Sequence, residues 1–301
     1  MAVAQRGSPY RGEMEPVLVT GAAGGRQGST GRHLTAQLLG RGIPVRALVH
    51  RDDERATVLR ALGAKVLVGD LRDLADARTA LEGVRAAYFT YPVIDGLLDA
   101  AGAFAVAARE TGLERVVAVS QLAAGPDAFT PRMRQHWVAE QILDWADIGA
   151  SHLRAAVFHE NLALIADTGD PNTLTLPLGP EHTELPLVAA ADVARVAAAL
   201  LADPARKTEP VVHLTGDVQA IGTAARTLGR TYRDIDPDTW HAWALEYYGT
   251  RHAADHLTKL WEIFRLLSEG TGLYQVTPAI HELGGHPPIT LADYAIHRPG
   301  H

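Results

Sequence analysis

Through the first half of the chain, short runs of β-branched and aliphatic residues alternate with longer stretches of helical spacing. VLVT (17–20), VRALV (45–49), KVLVG (65–69), AAYFT (86–90) and RVVAVS (115–120) read as buried strands. Between them, STGRHLTAQLLGRG, DERATVLRALG, LADARTALEG and GLLDAAGAFAVAARETG repeat apolar positions at helical intervals, and several stop at a glycine suited to a left-handed C-cap. Strands alternating with helices of this length predict right-handed crossovers and an α/β fold, a doubly wound parallel sheet covered on both faces.

From Thr130 a longer helical stretch, TPRMRQHWVAEQILDWADIG, leads into SHLRAAVF, a sixth strand, after which the alternation fades. TEPVVHLTG reads as a late strand returning to the sheet. DPDTWHAWALEYYG and RHAADHLTKLWEIFRLLSEG read as aromatic-rich helices outside it. The division expected is a tail over 1–15, a main domain over 16–157 to which 188–216 returns, and a smaller, mostly helical C-terminal domain from 158–187 and 217–301.

Composition narrows the function classes. A chain of 301 residues, 47% hydrophobic, buries a core of this size. A net charge of -7 argues against general nucleic-acid binding, which needs a basic surface. The absence of cysteine removes disulfides, thiolate metal sites and a cysteine nucleophile. No apolar run is long enough to span a bilayer and the N-terminus lacks an apolar signal core, so the expectation is a cytoplasmic protein with no membrane partner.

The stretch VTGAAGGRQGSTGRH, Val19 to His33, has the order strand, glycines, helix. In open α/β folds such a first turn presents backbone N–H groups and a helix N-terminus to a pyrophosphate. Gly21 suits the tight turn, Gly28 close approach of the phosphates, and Gly31 the packing of helix on strand; Gly24, Arg26, Gln27, Ser29 and Thr30 complete the expected cradle. The loop is longer than the usual dinucleotide fingerprint, and it lacks the lysine followed by Ser or Thr of a nucleoside-triphosphate loop. The second strand ends with His50 and Arg51 where an NAD-binding chain places an acid, and Arg26 adds a second cation, so NADP(H) is preferred over NAD(H). Asp70 and Leu71, after the third strand, are the expected adenine-edge contacts.

These motifs together resemble the NmrA-like group of atypical short-chain dehydrogenases. The resemblance runs through VTGAAG…GSTGRHL, VRALVHR, GDLRD, FTYP, VVAVSQLAAG and RQHWVAEQILDWADIGASHLRAAVFHENL to HELGGHPPITLADYAIH. It implies a Rossmann-type NAD(P)-binding domain with a small C-terminal domain enclosing a cleft. Members include reductases of quinones, dyes or carbonyl compounds and also nucleotide-binding regulators, so the family fixes fold better than function.

Ordinary short-chain dehydrogenases use a tyrosine with a lysine four residues on, and the expected helix has no such pair. His136 and Glu140 stand there one turn apart. His136 is either a ligand of the nicotinamide ribose and, with a pKa near neutrality, a proton donor, or a surface histidine paired with Glu140. Ser120 is placed to orient a substrate oxygen, and Thr90, Tyr91 and Pro92 belong on the nicotinamide side, with Tyr91 as an alternative proton source. Phe158, His159 and Asn161 are candidate cleft residues. His252 and His256 are spaced as a helical pair, but lacking an HExxH pattern or a third ligand they are not assigned a metal. No nucleophile elbow suggests a hydrolase. Two functions stay open: an NADPH-dependent reductase of a small aromatic or conjugated substrate (quinone, enone, imine or carbonyl), with a homodimer admitted as its assembly, and an NAD(P) sensor acting through a protein partner. An open apolar cleft over the nicotinamide favours the first; a blocked one with an exposed apolar patch favours the second.

Overall fold

A computed structural model describes residues 15–24, 29–268 and 272–297. The first half is built as alternating units: β1 (Val17–Thr20), α1 (Thr30–Gly40), β2 (Val45–Val49), α2 (Glu54–Ala61), β3 (Lys65–Val68), α3 (Leu74–Leu81), β4 (Ala86–Phe89), α4 (Leu97–Thr111), β5 (Arg115–Gln121), α5 (Pro131–Trp145) and β6 (Ala150–Ala155). Polar residues set several starts. Asp53 caps α2 by accepting from the N–H groups of Arg55 and Ala56, and Asp73 caps α3 in the same way. Thr130 caps α5 ahead of a proline whose missing N–H costs the first turn nothing.

The remaining elements are β7 (Val157–Phe158), α6 (His159–Thr168), β8 (Thr173–Leu176), β9 (Glu184–Val188), α7 (Ala190–Ala202), β10 (Val211–Leu214), β11 (Asp217–Ala220), α8 (Ile221–Thr227), β12 (Thr231–Asp234), α9 (Pro237–Tyr248), α10 (Arg251–Leu266), α11 (Ala279–Gly284) and α12 (Leu291–His297). The main sheet has seven strands in the order β10-β6-β5-β4-β1-β2-β3. Every pairing in it is parallel, with Val17 beside both Val45 and Ala86. The order reverses between β1 and β4, so the crossovers diverge there and open a crevice beyond the strand C-termini.

One apolar layer joins α1 and α7 to the sheet through Leu34, Leu38, Val193 and Ala197. The other packs α3, α4 and α5 through Leu81, Phe104 and Leu143. A third core, around Trp240, Leu257 and Trp261, lies in the C-terminal region. That region holds two small sheets, β11-β9-β7 and β12-β8, besides the expected helices. One strand departs from its reading: β3 is the sheet edge, with Lys65 exposed and Val68 53% exposed. A hydrophobic run by itself does not distinguish an edge from a centre. Among the described residues no helix is long and apolar enough to cross a membrane.

Candidate functional site

A cleft of about 920 Å³ opens along the C-terminal ends of β1 to β6 and continues beneath α10. Its end beside β1 is shaped by two glycines. Gly21 turns the chain at φ 62°, and a Cβ there would stand 2.6 Å from Thr90 Cγ2. A Cβ on Gly31 would stand 2.6 Å from the carbonyl oxygen and 2.9 Å from the carbonyl carbon of Gly21, backbone that cannot yield. Glycine at 31 therefore lets α1 seat its first turn against the β1 exit, as its place in the motif suggests. The same exit is tied to β4: Thr20 Oγ1 donates to the Thr90 carbonyl and accepts from the Thr90 N–H, both at 2.9 Å. Ser29 is at the N-cap of α1 but makes no side-chain cap, and the first turn has no acidic residue. An anion meets no fixed negative charge there. Thr30, Gly31 and Gly24 line the cleft; Arg26, Gln27 and Gly28 lie outside the described residues.

Beyond β2 the polarity is cationic. His50 and Arg51 are exposed and line the cleft, with no ion pair to Arg51 among the described residues. The nearby aspartates are engaged elsewhere. Asp53 caps α2 and pairs with Arg55 at 2.6 Å, and Asp52 pairs with Arg60 at 2.7 Å. Arg55 was not singled out in the sequence; it also donates to the Gly24 carbonyl at 3.1 Å and so props the glycine loop. Leu71 lines the next stretch together with Asp70, whose carboxyl is held down at about 2 by the Arg72 guanidinium.

At the other end, Thr90, Tyr91, Pro92, Ser120, His136, Phe158 and Asn161 all line the cleft. His159 does not. It is fully buried in the first turn of α6, facing Tyr294 at 5.6 Å between ring centres, because the residue after Phe158 turns to the opposite side. The Tyr91 hydroxyl donates to the Asp95 carbonyl at 3.2 Å, and burial raises its pKa, which weakens it as a proton source. Ser120 is 4% exposed and its hydroxyl has no hydrogen-bond partner among the described residues.

His136 departs from its reading in two ways. Glu140 does not pair with it. That carboxylate is buried and held by Arg154 of β6 through two hydrogen bonds at 2.9 and 2.6 Å, the fork geometry an imidazole cannot match. Nor is its pKa near neutrality, since burial, then the Arg132 charge, hold it well below the ordinary imidazole range. Burial thus favours the uncharged form of the ring.

Three side chains here were not recognised as cleft residues from the sequence. Arg132, one turn before His136, donates to the carbonyls of Tyr91, Pro92 and Ile94 and fixes the loop after β4. Gln121 meets His256 Nε2 of α10 at 3.0 Å, and burial drives the pKa of that imidazole down to about 3. Of the i,i+4 histidines, His252 Nδ1 faces Asp95 at 3.0 Å, and no group of three metal-ligating side chains occurs among the described residues. The rest of this end is apolar, with Met133, Leu257, Leu260, Trp261, Phe264 and Tyr274 among its walls.

A family model described as NAD(P)H-binding matches residues 25–204, more than half of the chain. The NAD(P)H azoreductase of Xenophilus azovorans is 26% identical over 196 residues, a stretch covering 64% of this chain and 65% of that enzyme, so the match spans slightly less than two thirds of the relative. Among solved structures, an NADPH-dependent quinone oxidoreductase of Escherichia coli complexed with NADPH superposes with a TM-score of 0.75 at 23% identity, covering 93% of this chain and 99% of that one. NmrA, a negative transcriptional regulator in complex with NADP, superposes with a TM-score of 0.72 at 17% identity over 95% of each chain. The chain belongs to the NAD(P)H-binding family and has the Rossmann-type fold of the NmrA-like atypical short-chain dehydrogenases.

Proposed function

We propose that the protein is an NADPH-dependent reductase of small aromatic or conjugated acceptors. The observation that carries the reading is the continuity of the cleft: a cationic, glycine-shaped end runs without a break into an open aromatic end. A regulator that only senses the nucleotide has no use for an open apolar chamber beside the nicotinamide position.

Gly21, Gly24, Thr30 and Gly31 would hold the diphosphate, together with the loop that carries Arg26, Gln27 and Gly28. His50 and Arg51 would take the 2′-phosphate, which favours NADP(H), while Asp70 and Leu71 would border the adenine. Thr90, Tyr91, Pro92, His136 and Phe158 would enclose the nicotinamide half. When bound, the dinucleotide supplies the hydride. The chain's own part is to orient and to exclude water. His136, uncharged, donates an N–H hydrogen bond to the acceptor oxygen as negative charge develops on it, a role that needs no imidazolium. Residues 16–157 with 188–216 would form the nucleotide side, and 158–187 with 217–301 the substrate side.

The test is to purify the protein, identify any bound nucleotide by mass spectrometry, and follow NADPH oxidation against quinones, enones, imines and aldehydes. Turnover of at least one class with NADPH, and slower turnover with NADH, is expected. Tight NADPH binding without turnover of any acceptor refutes the reductase and leaves the sensor.

A further inference from the structure

The substrate end of the cleft carries a charge that hydride transfer, as described, does not use. Arg132, near the start of α5, lines the cleft although it is only 1% exposed. Its guanidinium reaches the carbonyl oxygens of Tyr91 at 3.2 Å, Pro92 at 2.8 Å and Ile94 at 3.1 Å. Arg154 and Arg195, also largely buried, hold Glu140 and Asp192 at 2.6 Å, but among the described residues no carboxylate pairs with Arg132. Burial lowers its pKa only to about 10, so the charge persists at neutral pH.

The surroundings do little to neutralise it. Asp95, on the loop that Arg132 grips, is 88% exposed and turned to His252, so water screens its charge. Tyr91 on the same loop is a neutral phenol with a raised pKa. His136 on the same helix and His256 on α10 are both held neutral by burial, and the Arg132 charge adds to the effect in each. A buried cation whose partners are carbonyls alone leaves a positive potential in a low-dielectric chamber, and it falls on whatever ligand enters.

We infer that Arg132 is a specificity-determining residue that makes this end of the cleft select acceptors whose oxygen carries or gains negative charge, and disfavour cationic acceptors. The favoured class is quinones, enones and aryl carbonyls; the disfavoured class is iminium ions and triarylmethyl dyes. For its catalytic consequence the inference rests on the reductase reading. In a quinone the incoming hydride forms a new bond to the conjugated system as a carbonyl π pair moves onto oxygen. The nicotinamide is oxidised, the quinone is reduced, and the oxygen then takes a proton from water. In a cationic dye the same hydride cancels a positive charge, so the dye enters the cleft against the potential and its reaction gains nothing from it.

The experiment uses the full chain saturated with NADP⁺ and 4-nitrophenol as an optical probe. In the wild type, the apparent pKa of the bound phenol should lie below its free-solution value by about 1, as for a group near an opposite charge. Arg132→Met should abolish that fall, and Arg132→Lys, which keeps the charge, should preserve it. The ratio of kcat/KM for a neutral quinone over a cationic triarylmethane dye should drop about tenfold in Arg132→Met, less than for loss of a direct oxyanion donor. If Arg132→Met does not fold, Arg132→Gln, which removes the charge but keeps a hydrogen-bond donor for the loop carbonyls, takes its place in both measurements. Wild-type protein that binds the phenol at its free-solution pKa, or does not bind the phenolate, overturns the inference. A lowered bound pKa without turnover of either acceptor supports the selectivity and refutes the reductase, so the two failures are distinguishable.

Discussion

Replacing Gly31 by alanine adds one carbon where the structure has no room. That carbon would sit 2.6 Å from the Gly21 oxygen, about 0.8 Å inside ordinary contact, and 3.1 Å from Ala22 Cα. Both neighbours are backbone of the turn leaving β1, itself tied to β4 through Thr20 and Thr90, so α1 has to move outward. Overpacking of this kind costs about 1–3 kcal/mol, while alanine in place of a helical glycine returns up to about 1 kcal/mol, leaving a net loss of up to about 2 kcal/mol. At this chain length that lowers Tm by up to about 3 °C. The larger effect is on ligand binding. A nucleotide present at a hundred times its Kd stabilises the wild type by about 2.7 kcal/mol, and that gain should be nearly lost once the helix N-terminus has shifted. Thermal melts with and without NADPH, together with calorimetric titration, measure both terms. A Gly31→Ala protein that melts like the wild type and keeps its NADPH affinity refutes the cradle.

Arg51→Glu should weaken NADPH by about 10–10²-fold, as expected for loss of charge-assisted hydrogen bonds, and NADH only a few-fold; equal losses in titrations with both nucleotides would remove Arg51 from the phosphate site. His136→Ala should lower kcat about 10²-fold with NADPH affinity held within a few-fold, and the wild-type rate should stay level from pH 6.5 to 8.5, since the depressed pKa leaves the ring uncharged throughout; a rate falling through that range as an imidazolium is lost would contradict a neutral donor. Stability should fall on acidification from pH 6.5 towards 5, because unfolded histidines take up protons that folded His136, His256 (about 3) and His159 (about 4) refuse, while Glu160, raised to about 7 by burial, opposes them by gaining stability as pH falls from 7 towards 4.5. Three imidazoles outweigh one carboxyl, so a Tm that is flat or rising over that window in a pH series of melts would be the contrary result.

The seven-stranded sheet was legible because local rules dictate it. Alternating strands and helices implied the parallel order, and a glycine at 31 suits the packing of α1 on β1, where a Cβ would stand 2.6 Å from the Gly21 oxygen. The apolar end of the cleft was not legible to the same depth, because its polar contacts are made by residues distant in sequence. Arg132 meets carbonyls some forty positions earlier, and Gln121 meets a histidine 135 positions later. The i,i+4 rule joined His136 to Glu140, but it could not see that Arg154, across on β6, offers that carboxylate two donors. Burial is the other quantity sequence spacing does not carry. It lowers the His136 pKa that spacing alone left near neutrality, while the strand order leaves the apolar run of β3 at an exposed edge.

The loop after β4 shows how the two halves are coupled. Its start, Thr90, is bonded to Thr20 at the exit of β1, where the glycine turn begins. Its middle is gripped by Arg132 of α5, and its end, Asp95, meets His252 of α10. A displacement of that loop therefore reaches the glycine turn after β1, the helix that carries His136 and α10 together. Exposed pairs such as Asp95 with His252 contribute little alone, so stiffness must come from the buried guanidinium, whose three carbonyl partners leave it no low-cost alternative. The same residue thus holds the shape of the loop after β4 and, on the inference above, the potential in the cleft beside it. Substitutions that keep its charge but lose its fork should separate the two: Arg132→Lys is expected to retain acceptor preference while raising KM, since one ammonium cannot hold three carbonyls in the guanidinium's geometry.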